Sequence, residues 1–260
     1  MRIPHNAFKH ALAEGRPQIG LWSMLCSNIV AEVLATCGFD WIVLDTEHSP
    51  NELPMVLQQL QAMQIDANTA SPVVRPAWND PVLIKRFLDI GAPNLILPFI
   101  QDEAEAADAV RATRYPPKGI RGVSGVQRAN RYGLVSDYTK TVEQELGLIL
   151  QVETMAAVQR IPEIAKLDGV DGIFIGPADL SADVGHLGNP SHPEAQAAIM
   201  KALALCKAAG KPAGILAPNE DDAKRYLDAG FLFVAVGIDQ GLLLRHGRAL
   251  AASFKKYAGA

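Results

Sequence analysis

The sequence predicts an α/β protein, a (β/α)8 or TIM barrel, and three features lead there. Eight short apolar runs recur along 260 residues, each followed by a segment of helical periodicity. The runs are continuously apolar rather than alternating, as strands buried on both faces of a parallel sheet are. The first run leads through "LWSMLCSN" with no glycine-rich turn, which an open doubly wound sheet would want at that point. All eight units fit one domain spanning residues 1–260.

Taken in order, the strand-like runs are "QIGLWSML" (18–25), "FDWIVLD" (39–45), "SPVVRPA" (71–77) and "NLILPFI" (94–100), then "LGLILQVET" (146–154), "VDGIFIGP" (170–177), "PAGILAP" (212–218) and "FLFVAVGID" (231–239). The second is followed by "ELPMVLQQLQAM", the third by "DPVLIKRFLDIG" and the fourth by "DEAEAADAVRAT", all with apolar residues three and four apart. Gly38, Gly91, Gly210 and Gly230 stand where helices would stop. Residues 115–145, containing "YPPKGIRGVSGVQRANRYG", interrupt the rhythm and read as a long functional loop after strand four.

Composition removes several function classes. The formal net charge is −4 and the lysines and arginines are scattered, so neither a nucleic acid nor a membrane surface is an expected partner. The three cysteines, Cys26, Cys37 and Cys206, lie far apart without a CxxC pair, which argues against disulfides and thiolate metal sites and for a reducing cytoplasm. The segment "MRIPHNAFKHALAEG" has no apolar leader region, and no run approaches the ~18 apolar residues of a membrane span. No lysine ends a strand, which disfavours Schiff-base chemistry. "GIRGVSG" is too weak a pattern to imply a nucleotide.

A barrel builds its active site where strands end, so a strand should be apolar and then turn chemical. "WIVLDTEHSP" does so, delivering Asp45, Glu47 and His48. Strand three ends at Arg75, strand five at Gln151 and Glu153, and the sixth run leads to Asp179 at a helix start. Glu153 and Asp179 form an oxygen-ligand pair suited to Mg²⁺ or Mn²⁺ with open positions for a 2-oxo acid. Arg75 offers a permanent charge to the same oxygens, and the amides around Ala178 and Asp179 face the site as a helix N-terminus does. His48 is the one histidine of six at a strand end, the place for a general acid or base. Singly, each carboxylate also fits a helix cap or ion pair, Arg75 a rim ion pair and His48 a structural role. Asp45 suits a hydrogen bond to metal-bound water. Asp89, late in a helix, reads as a solvated charge that spacing alone cannot connect to the rest.

The segments "PQIGLW", "GFDWIVLDTEHSPN", "PVVRPAWNDP", "RATRYPPKGIRGV", "LILQVET", "GVDGIFIGPADLSADVG" and "AKRYLDAGFLFVAVGID" resemble the metal-dependent pyruvate aldolase family of 4-hydroxy-2-oxoheptane-1,7-dioate aldolase, whose relatives include 2-dehydro-3-deoxyglucarate aldolase. The resemblance runs nearly end to end. It implies a barrel of the phosphoenolpyruvate/pyruvate type with Mg²⁺, Mn²⁺ or Co²⁺ held by Glu153 and Asp179. It further implies Arg75 and Gln151 at the 2-oxo acid, His48 near the reacting hydroxyl, Asp45 holding metal-bound waters and Asp89 as partner to His48. The implied assembly is a homo-hexamer, a trimer of dimers, with the last helix, "GLLLRHGRALAASF", exchanged between paired subunits. The implied reaction splits a 4-hydroxy-2-oxo acid into pyruvate, or hydroxypyruvate, and an aldehyde, with "SGVQRANRY" setting acceptor preference; the base is either His48 or a metal-bound water, between which the sequence does not choose. The rival readings are a metal-dependent lyase for a CoA thioester of the malyl or citramalyl kind, which would want a larger basic surface, and a non-catalytic 2-oxo acid binder.

Overall fold

The computed structural model describes residues 1–65 and 69–259. Eight parallel strands close into a barrel in sequence order, β1 pairing with β8. They are β1 (Gln18–Ser23), β2 (Trp41–Asp45), β3 (Ser71–Arg75), β4 (Asn94–Leu97), β5 (Gly147–Val152), β6 (Gly172–Ile175), β7 (Ala213–Leu216) and β8 (Phe233–Ile238), each inside its expected run. A short helix, α1 (Ala7–Ala13), precedes the barrel, and between the strands lie α2 (Asn28–Ala35), α3 (Leu53–Ala62), α4 (Pro81–Asp89), α5 (Glu103–Thr113), α6 (Tyr138–Thr141), α7 (Met155–Gln159), α8 (Ile161–Ile164), α9 (Pro177–Asp183), α10 (Pro193–Ala208) and α11 (Glu220–Ala229). The last helix is α12 (Asp239–Tyr257).

The helices begin and end where local chemistry dictates. Asp80 accepts from the amides of Val82 and Leu83 and starts α4, Asp102 does the same for α5, and Asn219 for α11. Gly230, at φ 98°, closes α11 in the left-handed conformation that a side chain would resist. The other expected stops, Gly38, Gly91 and Gly210, also have positive φ.

Two apolar layers follow from strands buried on both faces. The outer one packs barrel against helices; the inner one fills the barrel with Trp22, Trp41, Val43, Val73, Ile96, Ile149, Phe174 and Phe233. Phe8 and Leu12 of α1 join the inner layer, Phe8 lying 5.3 Å from the Trp41 ring and 5.8 Å from Phe233. The N-terminal mouth is thereby plugged, leaving the C-terminal rim for chemistry. Gly214 makes room for the Phe233 ring, since a Cβ at this position would fall inside it.

The long excursion falls after β4, as expected, but it opens at the end of the barrel away from the rim. Helix α5 takes up the chain directly after β4, so residues 114–146 leave from the far end of that helix and return to the start of β5, on the face opposite the rim. The segment is ordered by a buried arginine: Arg121, 1% exposed, stacks on Tyr115 and Tyr138 at 4.6 and 5.7 Å and bonds to Asp89 at 2.9 Å. Arg128 donates to the Ile90 carbonyl at 2.6 Å. Within a single chain "SGVQRANRY" therefore lies away from the rim.

Helix α12 stands apart. Of its residues only Asp239 is buried, while Leu243, Leu244, Leu250 and Phe254 are each more than half exposed. Among the described residues no helix is long and apolar enough to cross a membrane.

The tight fit at β7 makes a prediction. Gly214→Ala should cost about 2 kcal/mol by overpacking against Phe233, whereas Gly241→Ala, in a helix with open space around it, should be neutral or stabilising by up to about 1 kcal/mol. Urea unfolding of both variants checks the contrast.

Candidate active site

The β2–β3 register sets Asp45 directly beside Arg75 at the ends of their strands. The guanidinium grips the carboxylate with two bonds, Nε to Oδ1 at 2.8 Å and Nη2 to Oδ2 at 2.7 Å. Its third nitrogen, Nη1, lies 2.7 Å from Glu47 Oε2, an ion pair not aligned as a hydrogen bond. The Trp22 ring lies beneath the guanidinium, 4.8 Å away. Burial would raise the Asp45 pKa, but the Arg75 bonds and charge outweigh it and hold it below the usual value. In this geometry the Asp45 carboxylate clamps Arg75.

Glu47 is a member of the site that sequence reasoning left without a role. It lies two residues beyond the strand, where no periodicity marks it; its one signal was its place between Asp45 and His48. Burial pushes its pKa up, Arg75 opposes, and the charges of Asp45 and Asp179 push further. Glu47 therefore shares a field with both the arginine and Asp179.

Glu153 follows β5 and is 3% exposed. Oε1 accepts from the Phe99 amide at 2.8 Å and Oε2 from Gln151 Nε2 at 2.7 Å. Its pKa is pushed up to about 7, first by burial and then by the charges of Asp179 and Glu47, against the two hydrogen bonds. Gly176 has to lack a side chain, because a Cβ there would overlap the Glu153 carboxylate. Phe99 holds its amide in place from a left-handed conformation, φ 55°, which residue type does not announce in a sequence. Ala178 and Asp179 occupy the first turn of α9, where no side chain caps the amides.

The set fits a divalent cation. Glu153, Asp179 and Glu47 bring like charges together, and Gln151 Oε1 is a buried acceptor without a hydrogen-bond partner among the described residues. The donors at this spot are all oxygens, the chemistry of a hard ion, with Glu153 and Asp179 as the pair to hold it. His48 lies on the same rim, its side chain 61% exposed and Nε2 3.8 Å from Glu47 Oε2. Asp89 does not join it: as the last residue of α4 it sits at the opposite end of the barrel, bonded to Arg121. The pairing of Asp89 with His48 implied by resemblance therefore cannot form within one chain.

A closed parallel barrel with a clamped arginine and an acidic oxygen-ligand cluster at its C-terminal rim defines a barrel enzyme for small anionic substrates. The family follows from comparison: the model for "HpcH/HpaI aldolase/citrate lyase" matches residues 18–246, and the chain belongs to that family. It is 57% identical to a 4-hydroxy-2-oxo-heptane-1,7-dioate aldolase of Klebsiella pneumoniae, with 96% of this chain and 94% of that protein covered. It is 54% identical to the protein of the same name from Escherichia coli strain ATCC 8739, covering 98% and 97%. Among solved structures, an HpcH/HpaI aldolase/citrate lyase family protein from Burkholderia cenocepacia superposes with a TM-score of 0.93 at 40% identity, covering 96% of this chain and 99% of that one.

The raised Glu153 pKa yields a prediction with a definite sign. Between the reference 4.5 and about 7 the folded, metal-free chain holds a proton that the unfolded chain has released. Metal-free stability should therefore fall as pH rises through this window and stay lower above it. Glu153→Gln cannot ionise, and Gln151 can turn its amide to accept from it. The variant should melt above wild type at pH 8 in chelator and lose that advantage near pH 5. In wild type, Mg²⁺ affinity should weaken by about tenfold per pH unit below the pKa. Calorimetric titration and thermal melts read both effects.

Proposed function

We propose that this chain is a class II pyruvate aldolase, reversibly splitting a 4-hydroxy-2-oxo acid such as 4-hydroxy-2-oxoheptanedioate into pyruvate, or a close analogue such as hydroxypyruvate, and an aldehyde. The observation that carries this reading is the buried Arg75 locked between Asp45 and Glu47 beside the Glu153–Asp179 cluster. The names of the close relatives favour it over a CoA-thioester lyase. A Mg²⁺, Mn²⁺ or Co²⁺ ion on Glu153 and Asp179 would supply Lewis-acid polarisation of the 2-oxo acid.

The chain's own residues do the rest. Arg75 presents its remaining N–H groups, on Nη1 and Nη2, to the oxygens of the 2-oxo acid, and because Asp45 fixes its plane it needs no reorganisation as charge develops. Gln151, with its free amide oxygen, and the amides at Ala178 and Asp179 complete the binding surface. His48 takes the C4 hydroxyl proton; the C3–C4 bond breaks, its electrons pass to C3 and the 2-oxo group, and the aldehyde leaves. Arg75 holds the resulting enolate until C3 is protonated.

The same reading includes a cytoplasmic homo-hexamer, a trimer of dimers. Support comes from the uncovered apolar residues of α12 and from Asp89, which could reach a His48 only in another copy.

Exhaustive chelation should abolish both cleavage and exchange of pyruvate methyl protons with deuterium, and Mg²⁺, Mn²⁺ or Co²⁺ should restore both. Activity that survives chelation, or trapping of pyruvate by borohydride, would sink the proposal. An aldehyde-release assay over a panel of 4-hydroxy-2-oxo acids reads the acceptor.

Arg75→Lys keeps a charge but loses the fork that Asp45 and Glu47 hold. A fall in kcat/KM of about two orders of magnitude, roughly 3 kcal/mol, is expected. Wild-type kinetics would reduce Arg75 to a rim residue.

His48→Ala should slow cleavage by ~100-fold or more, yet slow pyruvate exchange far less, since exchange involves no aldehyde oxygen. Equal loss in both would make His48 the base at C3. No loss in either would assign the proton to a solvent base.

A further inference from the structure

The segment that joins α9 to α10, "HLGNPSHPE" (186–194), gathers two imidazoles and a carboxylate that take no part in the chemistry above. The His186 and His192 rings stack with centroids 3.4 Å apart and planes 21° from parallel. His186 Nε2 lies 2.6 Å from Glu194 Oε2, and ligand atoms of all three side chains fall within 4.8 Å of one another. We propose that His186, His192 and Glu194 form a second cation site, selective for a borderline transition ion such as Zn²⁺ or Cu²⁺ and separate from the oxygen-ligand site at the rim.

The donor set argues for that class of ion. Two imidazoles and one carboxylate suit Zn²⁺ and Cu²⁺, whereas Mg²⁺ and Mn²⁺ favour the carboxylates around Glu153. Two protonated rings stacked at this distance would repel each other, while neutral imidazole is the form that ligates. A cation would replace the proton that now bridges His186 and Glu194, with the two side chains opening from 2.6 Å to about 3.3 Å. The imidazoles would turn out of their stack so that both lone pairs meet the ion.

The backbone holds the three residues in place. The His186 amide donates to the Ser181 carbonyl at 2.7 Å, tying it to the last turn of α9, and His192 is the N-cap of α10 with Pro193 at the first helical position. Binding has one local cost. His192 Nδ1 now accepts from the Glu194 amide at 3.3 Å, and an ion on this ring takes that acceptor away. A bond this long is a weak cap, so the exchange favours the ion. Because α9 carries Asp179 in its first turn, an ion on His186, His192 and Glu194 would fasten the helix beside the rim to α10.

The test uses Cu²⁺ as probe, with Mg²⁺ in excess to fill the rim. His10→Gln serves as background, because His5 and His10 form another imidazole pair beside Glu145. Electron paramagnetic resonance should show one tightly bound Cu²⁺ with nitrogen couplings. His186→Gln and His192→Asn should each weaken it by about tenfold or more and lose couplings, while Glu153→Gln leaves them intact. Asparagine at 192 keeps a helix-capping oxygen, so that variant folds with α10 in place. Zn²⁺ should raise the melting temperature of the background protein but not of the two site variants, whose Mg²⁺-dependent cleavage should match it. Absent nitrogen couplings, undiminished affinity in His186→Gln or His192→Asn, or loss of the signal in Glu153→Gln would each overturn the proposal.

Discussion

The ion pair between Asp45 and Arg75 is the interaction on which the rim depends. A guanidinium with 7% of its residue exposed is tolerated only where its charge is answered, and the strand register supplies the answer. One oxygen pair fixes the plane of the fork, Glu47 takes the remaining nitrogen, and Trp22 closes the side away from solvent. Remove the carboxylate of Asp45 and a buried cation would be left with a single, misaligned partner. Barrel closure and chemistry thus share a constraint, since the pairing that holds β2 against β3 also aims the arginine.

A second consequence is electrostatic crowding. Arg75 offsets Asp45 and Glu47, but nothing of positive charge answers Glu153 among its hydrogen-bond partners, which are an amide N–H and the side-chain amide of Gln151. The fold accepts a carboxyl group that ionises reluctantly, an arrangement that costs stability unless a cation compensates it. Gly176 and the left-handed Phe99 are the backbone accommodations that make this possible. Gly176 acts by shape, and Phe99 by presenting its amide to the carboxylate.

How much of this could be read from the sequence depends on the kind of constraint. Strands were legible because burial on both faces leaves continuous apolar runs, and strand ends were legible because "WIVLDTEH" and "LILQVET" turn from apolar to ionisable within a residue or two. Those two ends pick out Asp45, Gln151 and Glu153, and the ends of the third and sixth runs pick out Arg75 and Asp179. Partnership was not legible: Asp45 looked like a neighbour of metal-bound water, and the register that delivers it to Arg75 appears only when β2 and β3 lie side by side. Direction was missed too. Helix α4 carries Asp89, and α5 the start of the long excursion, to the far end of the barrel, so Asp89 and residues 114–146 belong to the other face. Phe99 gave no sign at all, because its contribution is a backbone amide.

The plug formed by α1 separates the two ends of this protein by purpose. Met1, 72% exposed, starts beside the sealed mouth, whereas the final helix springs directly from the end of β8 at the reactive mouth. An anchor, fusion partner or solid support attached through the amino terminus would leave the reactive face looking outward, free for substrate to approach. The same attachment made through the carboxyl terminus would ride on the exposed helix that leaves from that mouth.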